Sequence, residues 1–460
     1  TVSGLTLSAA SANVISGSGT LTVNGDATLN QGSIAPVLAG TMNLLKTTAS
    51  QTVTLSNAAS TFTGLTWIQD GTLSVTALAD AGANSSLGAA TGANAGILIG
   101  NGASTTATLA YSSASSSSSN RAILLAGTTG GATIDSGALA GLLTLSGQAY
   151  GIVVGAKTLT LQGSNGTTAS PNVYSGAISN GVGTVALTKA GLGGWTISGS
   201  NAFTGATTIS GGALNVQNAT GLGTTAAGTT VSSGGTLELQ GGITIGAEAL
   251  SLSGSGLANL GALRNISGTN TYGGLVTLAA ASRINSDAGV LNLDVSTGSA
   301  VTGTFALTLG GAGNGTVSDP LAIGTAALIK DGTGTWTLMP SAVNTYTGAT
   351  TVNNGVLAVD FSQAGVATNI ISASSVLTLA GGKLSVKGMS AATDSQTFAS
   401  TSTTAGTYGV LSADNNSATS LTVALGAWTR NANSGLNFDI TGAPTVTFTL
   451  SAGLSSASGI

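Results

Sequence analysis

Neither cysteine nor histidine occurs among the 460 residues, and each absence closes off a body of chemistry. Without cysteine there are no disulfides, iron–sulfur clusters or thiolate zinc sites, and the redox compartment stays open. Without histidine the commonest general base and metal ligand is missing. Charge is nearly as scarce: 10 Lys+Arg and 14 Asp+Glu make up 5% of the chain, against roughly 25% in an ordinary soluble domain. The dispersed cations and an isoelectric point near 4.5 supply no basic patch, so no nucleic acid partner is expected. No apolar run reaches the roughly 18–20 residues that span a bilayer, so no transmembrane segment is expected. Thr1-Val2-Ser3-Gly4-Leu5-Thr6-Leu7 lacks a charged n-region and an apolar h-region, so no signal peptide is expected in this numbering. The chain reads as a mature or excised segment that begins within a strand.

Small residues fill the space. Glycine contributes 71 residues and proline only 5. Such a composition suggests disorder, but disorder normally combines low hydrophobicity with high net charge. Here the mean hydropathy is +0.42 and the formal net charge is −4. There is enough apolar material to bury, delivered in small parcels.

The parcels alternate. Leu159-Thr160-Leu161, Leu214-Asn215-Val216, Leu237-Glu238-Leu239, Leu250-Ser251-Leu252, Leu291-Asn292-Leu293, Leu307-Thr308-Leu309, Leu377-Thr378-Leu379 and Leu384-Ser385-Val386 all put apolar side chains on one face. Glycine or asparagine follows, permitting the positive-φ corners between strands. Helical spacing is almost absent. A strand with one to three inward residues is unstable alone. Stacking many similar coils into one column is the physical solution, and a long-period repeat is its signature.

That repeat is present. Ser60-Thr61-Phe62-Thr63-Gly64 returns as Asn201-Ala202-Phe203-Thr204-Gly205 and again as Asn344-Thr345-Tyr346-Thr347-Gly348. Lys46, Lys189 and Lys330 recur at nearly the same interval, as do Trp195 with Trp336 and Arg121 with Arg264. The chain therefore holds a little over three units of about 142 residues, each of about six or seven coils if a coil takes roughly 20–25 residues. At ~4.8 Å per coil the whole would be a rod on the order of 100 Å long.

Lys330-Asp331-Gly332-Thr333-Gly334-Thr335-Trp336-Thr337-Leu338 precedes Asn344-Thr345-Tyr346-Thr347-Gly348-Ala349-Thr350-Thr351-Val352 and Gly355-Val356-Leu357-Ala358-Val359. This run resembles the autotransporter-associated β-strand repeat, whose pattern is K-x-G-x-G-x-L-x-L, then N-T-Y-T-G-x-T-T-V, then G-x-L-x-V. The match is equally good over Lys189 to Val216 and degraded over Lys46 to Val75. Ala262 to Gly268 and Gly426 to Leu450 resemble the family's spacers. The resemblance implies a right-handed parallel β-helix on a secreted or surface-displayed bacterial protein. It carries no catalytic residues. No ~10-residue amphipathic strands of an outer-membrane barrel are recognised, and Ser458-Gly459-Ile460 stop without a capping element, so either both ends are expected to continue in a longer precursor or the chain is one segment of a polymer.

Few residues invite a chemical reading. Gly310-Gly311-Ala312-Gly313-Asn314-Gly315 has the glycine of a phosphate cradle, but no Gly-Lys-Ser/Thr follows, and solenoid corners are the expectation. Asp287 with Asp294, or Glu238 with Glu248, are the candidate glycosidase pairs. Neither has the aromatic and basic neighbours of a sugar site, so no catalytic residue is assigned. Asp and Asn in turns suit calcium, yet no Gly-Gly-x-Gly-x-Asp nonapeptide occurs, and no metal or cofactor is assigned. Trp195, Trp336 and the Phe62/Phe203/Tyr346 position are expected to fill core or corner sites, with glycan stacking as the alternative. Lys46, Lys189 and Lys330 are expected to hold solvated head groups over apolar stems. Ser115 to Ser119 is expected to be an exposed loop, and the sequon Asn165-Gly166-Thr167 is a product of composition.

The expected fold is all-β: an elongated right-handed parallel β-helix, or β-solenoid, continuous over residues 1–460. Its sequence units run approximately 1–120, 121–263 and 264–404, with a partial unit 405–460. A chain so poor in charge is expected to pack its outer surface against other copies or a cell envelope. The expected function is structural: a segment of a bacterial surface filament, stalk or layer, self-associating into a homopolymer and extracellular in location. A monomeric adhesin-like passenger binding a host or glycan ligand is the alternative. A polysaccharide-active β-helix enzyme is a weaker one.

Overall fold

The computed structural model describes residues 1–9, 13–102, 106–137, 141–167, 169–442, 445–451 and 455–456. The ending expected at Ser458-Gly459-Ile460 lies outside the described residues. Short strands carry the fold, and no α-helix occurs among the described residues; Gly92–Ala95 and Leu257–Asn259 are single 3-10 turns. The protein is a β-solenoid of stacked parallel coils. Two compact units are present, Thr1–Thr229 and Thr230–Ile460.

In the first unit, each strand pairs in parallel with the strand one coil later. Ala27, Leu44, Thr66, Ile97, Ile123, Ala149 and Ile178 stand in register, and none is more than 1% exposed. Each coil supplies only two or three such residues, but a fully buried Leu or Ile stabilises by roughly 1.5–3 kcal/mol, and the column repeats this at every step. Coil length varies: the stretch of chain from Thr66 to its register partner Ile97 is nearly twice that from Ala27 to Leu44. The longer of these coils holds an insert, Thr76–Gly96, between strands Gly71–Val75 and Ile97–Ile99.

The second unit repeats the plan. Asn270, Leu291, Gly315, Trp336, Leu357, Leu384, Leu411 and Phe438 form one register column. Leu309, Lys330, Val352, Leu379 and Thr403 form another. The glycine run at 310–315 packs corners. A Cβ on Gly310 would sit 2.2 Å from the Arg283 guanidinium, and one on Gly315 would sit 2.5 Å from the Trp336 ring. Backbone approach to neighbouring side chains explains those glycines without a phosphate.

The serine run differs from its expectation. Ser117–Ser119 is a strand paired with Leu143–Leu145. Its hydroxyls fasten the insert: Ser117 Oγ donates to Leu78 O at 2.7 Å and Ser119 Oγ to Ala79 O at 2.8 Å. Asn120 completes the zip, exchanging 2.8 Å bonds with Asp80 and Ala81. Serine has no strong strand propensity, so only the partner segment made this a strand.

Candidate functional site

Three stretches share one construction. Ser60 Oγ accepts from Leu38 N at 3.1 Å, Asn201 Oδ1 from Ile178 N at 2.8 Å, and Asn344 Oδ1 from Leu321 N at 2.6 Å. Each bond ties a corner to the preceding coil. Two positions further on, Phe62, Phe203 and Tyr346 are fully buried. Trp195 and Trp336 are buried too, and their indole Nε1 groups donate to Gln162 O at 3.2 Å and Gly310 O at 3.0 Å. These aromatics are core, so they are closed to glycan stacking.

The lysines overturn the expectation of solvated head groups. Lys46, Lys189 and Lys330 are 0% exposed. Each ends a strand on its inward face, between Leu29 and Ile68, Leu161 and Ile209, and Leu309 and Val352 respectively. Burial lowers all three amines to about 8. Backbone carbonyls, with no carboxylate, accept their hydrogen bonds. The alternation Leu187-Thr188-Lys189 carried the signal, because a residue two after an inward leucine also points inward.

Arg121 and Arg264 stand in different settings. Arg121 is buried beneath the insert, donating to Ala95 O at 2.6 Å and Leu87 O at 2.8 Å, and burial lowers it to about 10. Arg264 bridges two carboxylates on adjoining coils: Glu238 Oε1 at 2.9 Å and, through Nη2 and Nε, Asp287 Oδ2. Burial opposes the Arg264 charge, but Asp287 and Glu238 outweigh it and its pKa moves up. The structure thus joins Glu238 to Asp287, one member from each candidate pair. Asp294 is exposed past the strand Val290–Leu293, and Glu248 is buried beyond Thr244–Ile245. Arg283 extends the ladder, pairing with Asp331 at 2.6 Å and donating to Asn285, which in turn donates to Asp287 at 2.6 Å. Every carboxylate of this ladder is engaged by a cation or an amide, which makes it an inter-coil fastening. Among the described residues no group of three acidic side chains is placed to hold a metal.

Outward ladders differ in character. In the second unit, Asn292, Thr316, Thr337, Ala358, Ser385, Ser412 and Asp439 form a ladder of small or polar side chains. In the first, one outward ladder reads Leu45, Trp67, Leu98, Leu124, Tyr150, all half-buried, with Thr28 before it and Ser179 after it. These five side chains form a contiguous aliphatic and aromatic stripe. Its residues lie scattered over the sequence, and only the register assembles them.

The three equivalent stretches coincide with matches to the passenger-associated-transport-repeat, at residues 50–75, 187–216 and 328–359. The chain carries three copies of this autotransporter-associated repeat. Over 449 residues this autotransporter-repeat chain is 33% identical to the Adhesin BmaC autotransporter of Brucella suis biovar 1 (strain 1330). That alignment covers 95% of the chain but only 11% of the length of the relative. No solved structure matches. The repeats and the relative make this chain a passenger segment of an extracellular or cell-surface bacterial protein.

Proposed function

We propose that the segment serves as a non-catalytic adhesive surface of its passenger, and that the Leu45–Trp67–Leu98–Leu124–Tyr150 ladder makes the contact. The observation that carries this reading is the 33% identity, along nearly the whole chain, to a protein named as an adhesin. The ladder supports it: Trp and Tyr dominate binding hot spots, and a rigid sheet presents them without an ordering cost. The similarity favours this reading over the surface filament expected from the sequence.

The test is binding of the labelled 460-residue chain to cultured mammalian cell layers and to a printed glycan array, beside a Trp67→Ser/Leu124→Ser variant. Saturable binding that the variant loses, at unchanged melting temperature, is expected. No saturable binding to any surface removes the adhesin reading, whereas equal binding by the variant removes only the ladder. The second reading, a homopolymer, is favoured by the scarcity of charge, since 10 Lys+Arg and 14 Asp+Glu leave most of the surface neutral. Sedimentation velocity separates the two, because a polymer grows with concentration.

A further inference from the structure

We propose that Lys46, Lys189 and Lys330 are tethered cations: each ammonium fills a backbone-carbonyl cage that joins one coil to the next. The same cage accepts a free ammonium-sized monocation once the side chain is cut back. Lys189 Nζ donates to Ala190 O at 2.7 Å, Gly191 O at 3.0 Å and Gly211 O at 3.0 Å. Lys330 Nζ repeats this with Asp331 O at 2.5 Å, Gly332 O at 2.9 Å and Asn354 O at 3.1 Å. Lys46 Nζ donates to Thr48 O at 2.5 Å and Asp70 O at 3.1 Å. In each case the near carbonyls belong to the lysine's own corner, and the far one (Asp70, Gly211 or Asn354) lies in the next coil.

An ammonium has three donors and no acceptor, so carbonyls from two coils can satisfy it wholly. Rings of carbonyl oxygens replace the hydration shell of a monovalent ion in the same way. Glycine makes the cage possible. A Cβ on Gly71 or Gly212 would fall 2.7 Å from Lys46 Nζ or Lys189 Nζ, and one on Gly355 would fall 2.5 Å from the carbonyls of Gly332 and Gly334. All three glycines hold positive φ, from 60° to 64°. Lys157 is an internal control. Its Nζ donates to Val153, Val154 and Gly155 carbonyls, all within its own turn, so it joins no coils.

The test compares wild type, Lys189→Ala, Lys189→Met and Lys157→Ala by hydrogen exchange, in ammonium, methylammonium or tetramethylammonium chloride at matched ionic strength. For Lys189→Ala, exchange across residues 185–216 is expected to accelerate by roughly tenfold or more, since hydrogen bonds to charged groups are lost. Ammonium and methylammonium reverse the acceleration, and tetramethylammonium, with no N–H, does not. Lys189→Met loses protection without rescue, because its side chain occupies the space. Lys157→Ala changes exchange only within its own turn. Wild-type protection in Lys189→Met, or equal action of the three cations on Lys189→Ala, overturns the proposal. If the variants do not fold, acetylation of native wild-type protein decides instead. Lys383 and Lys387 should react first, and reaction of Lys46, Lys189 and Lys330 at the same rate overturns the cage.

Discussion

Adding one methyl group at Gly315 probes the register of the second unit. Gly315 pairs directly with Trp336 on the next coil, and Trp336 pairs in turn with Leu357. A Cβ at position 315 would lie 2.5 Å from the ring carbons Cε3 and Cζ3 of Trp336, whereas carbon contacts settle at about 3.5–4.0 Å. The ring cannot withdraw easily, being 0% exposed and held through Nε1 to Gly310 O at 3.0 Å. Overpacking of this kind costs about 1–3 kcal/mol, of which better strand entropy for Ala returns roughly 0.5–1 kcal/mol. Gly315→Ala should therefore destabilise by about 1–2 kcal/mol. Trp336→Leu alone should cost about 3 kcal/mol through its cavity. In that background the added methyl meets space and should be neutral or stabilising, a coupling of about 1–3 kcal/mol. Solenoid coils open locally, so the readout is hydrogen exchange in strands Asn314–Val317 and Thr335–Leu338. An equal penalty for Gly315→Ala in both backgrounds refutes the pairing of these residues.

Two further outcomes follow from buried cations. Burial lowers Lys46, Lys189 and Lys330 from 10.5 to about 8, partly countered by Asp70 at Lys46 and Asp331 at Lys330, with Arg283 adding to the lowering at Lys330. Between those values the unfolded chain binds protons that the folded chain has released, so stability rises with pH, by about 2 kcal/mol per lysine from pH 8 to ~10. Chemical denaturation across that interval checks the sign, and a flat or falling profile contradicts the burial. Arg121→Met should free the insert Thr76–Gly96 by removing the bonds to Leu87 O and Ala95 O. Elastase should then cut this alanine-rich insert at least several-fold faster, and an unchanged rate would show that the serine zip holds it alone.

Much of the architecture is readable from local pattern. Alternation in Leu214-Asn215-Val216 puts Leu214 and Val216 inside, and both are fully buried. The recurring Asn201 and Asn344 mark corners because a carboxamide can satisfy backbone groups on two coils at once. Residue type misleads at the lysines, although their place in the alternation is inward. It misleads again at Ser115 to Ser119, because Ser117–Ser119 pairs with Leu143–Leu145 and its hydroxyls bond Leu78 and Ala79, all too far along the chain for any local signal.

The amino-acid order alone determined the period-two alternation, the glycine corners and the long repeat, and hence a stacked parallel β fold. Those features depend on near neighbours and on backbone geometry that each residue carries with it. Only the tertiary structure decided which coil lies on which. That register set Glu238, Arg264 and Asp287 into one ion-paired bridge, closed carbonyls from two coils around each lysine, and lined up Leu45, Trp67, Leu98, Leu124 and Tyr150 on one face. Coils as unequal as Ala27 to Leu44 and Thr66 to Ile97 make such neighbours unpredictable by counting, because each loop resets the offset for everything after it.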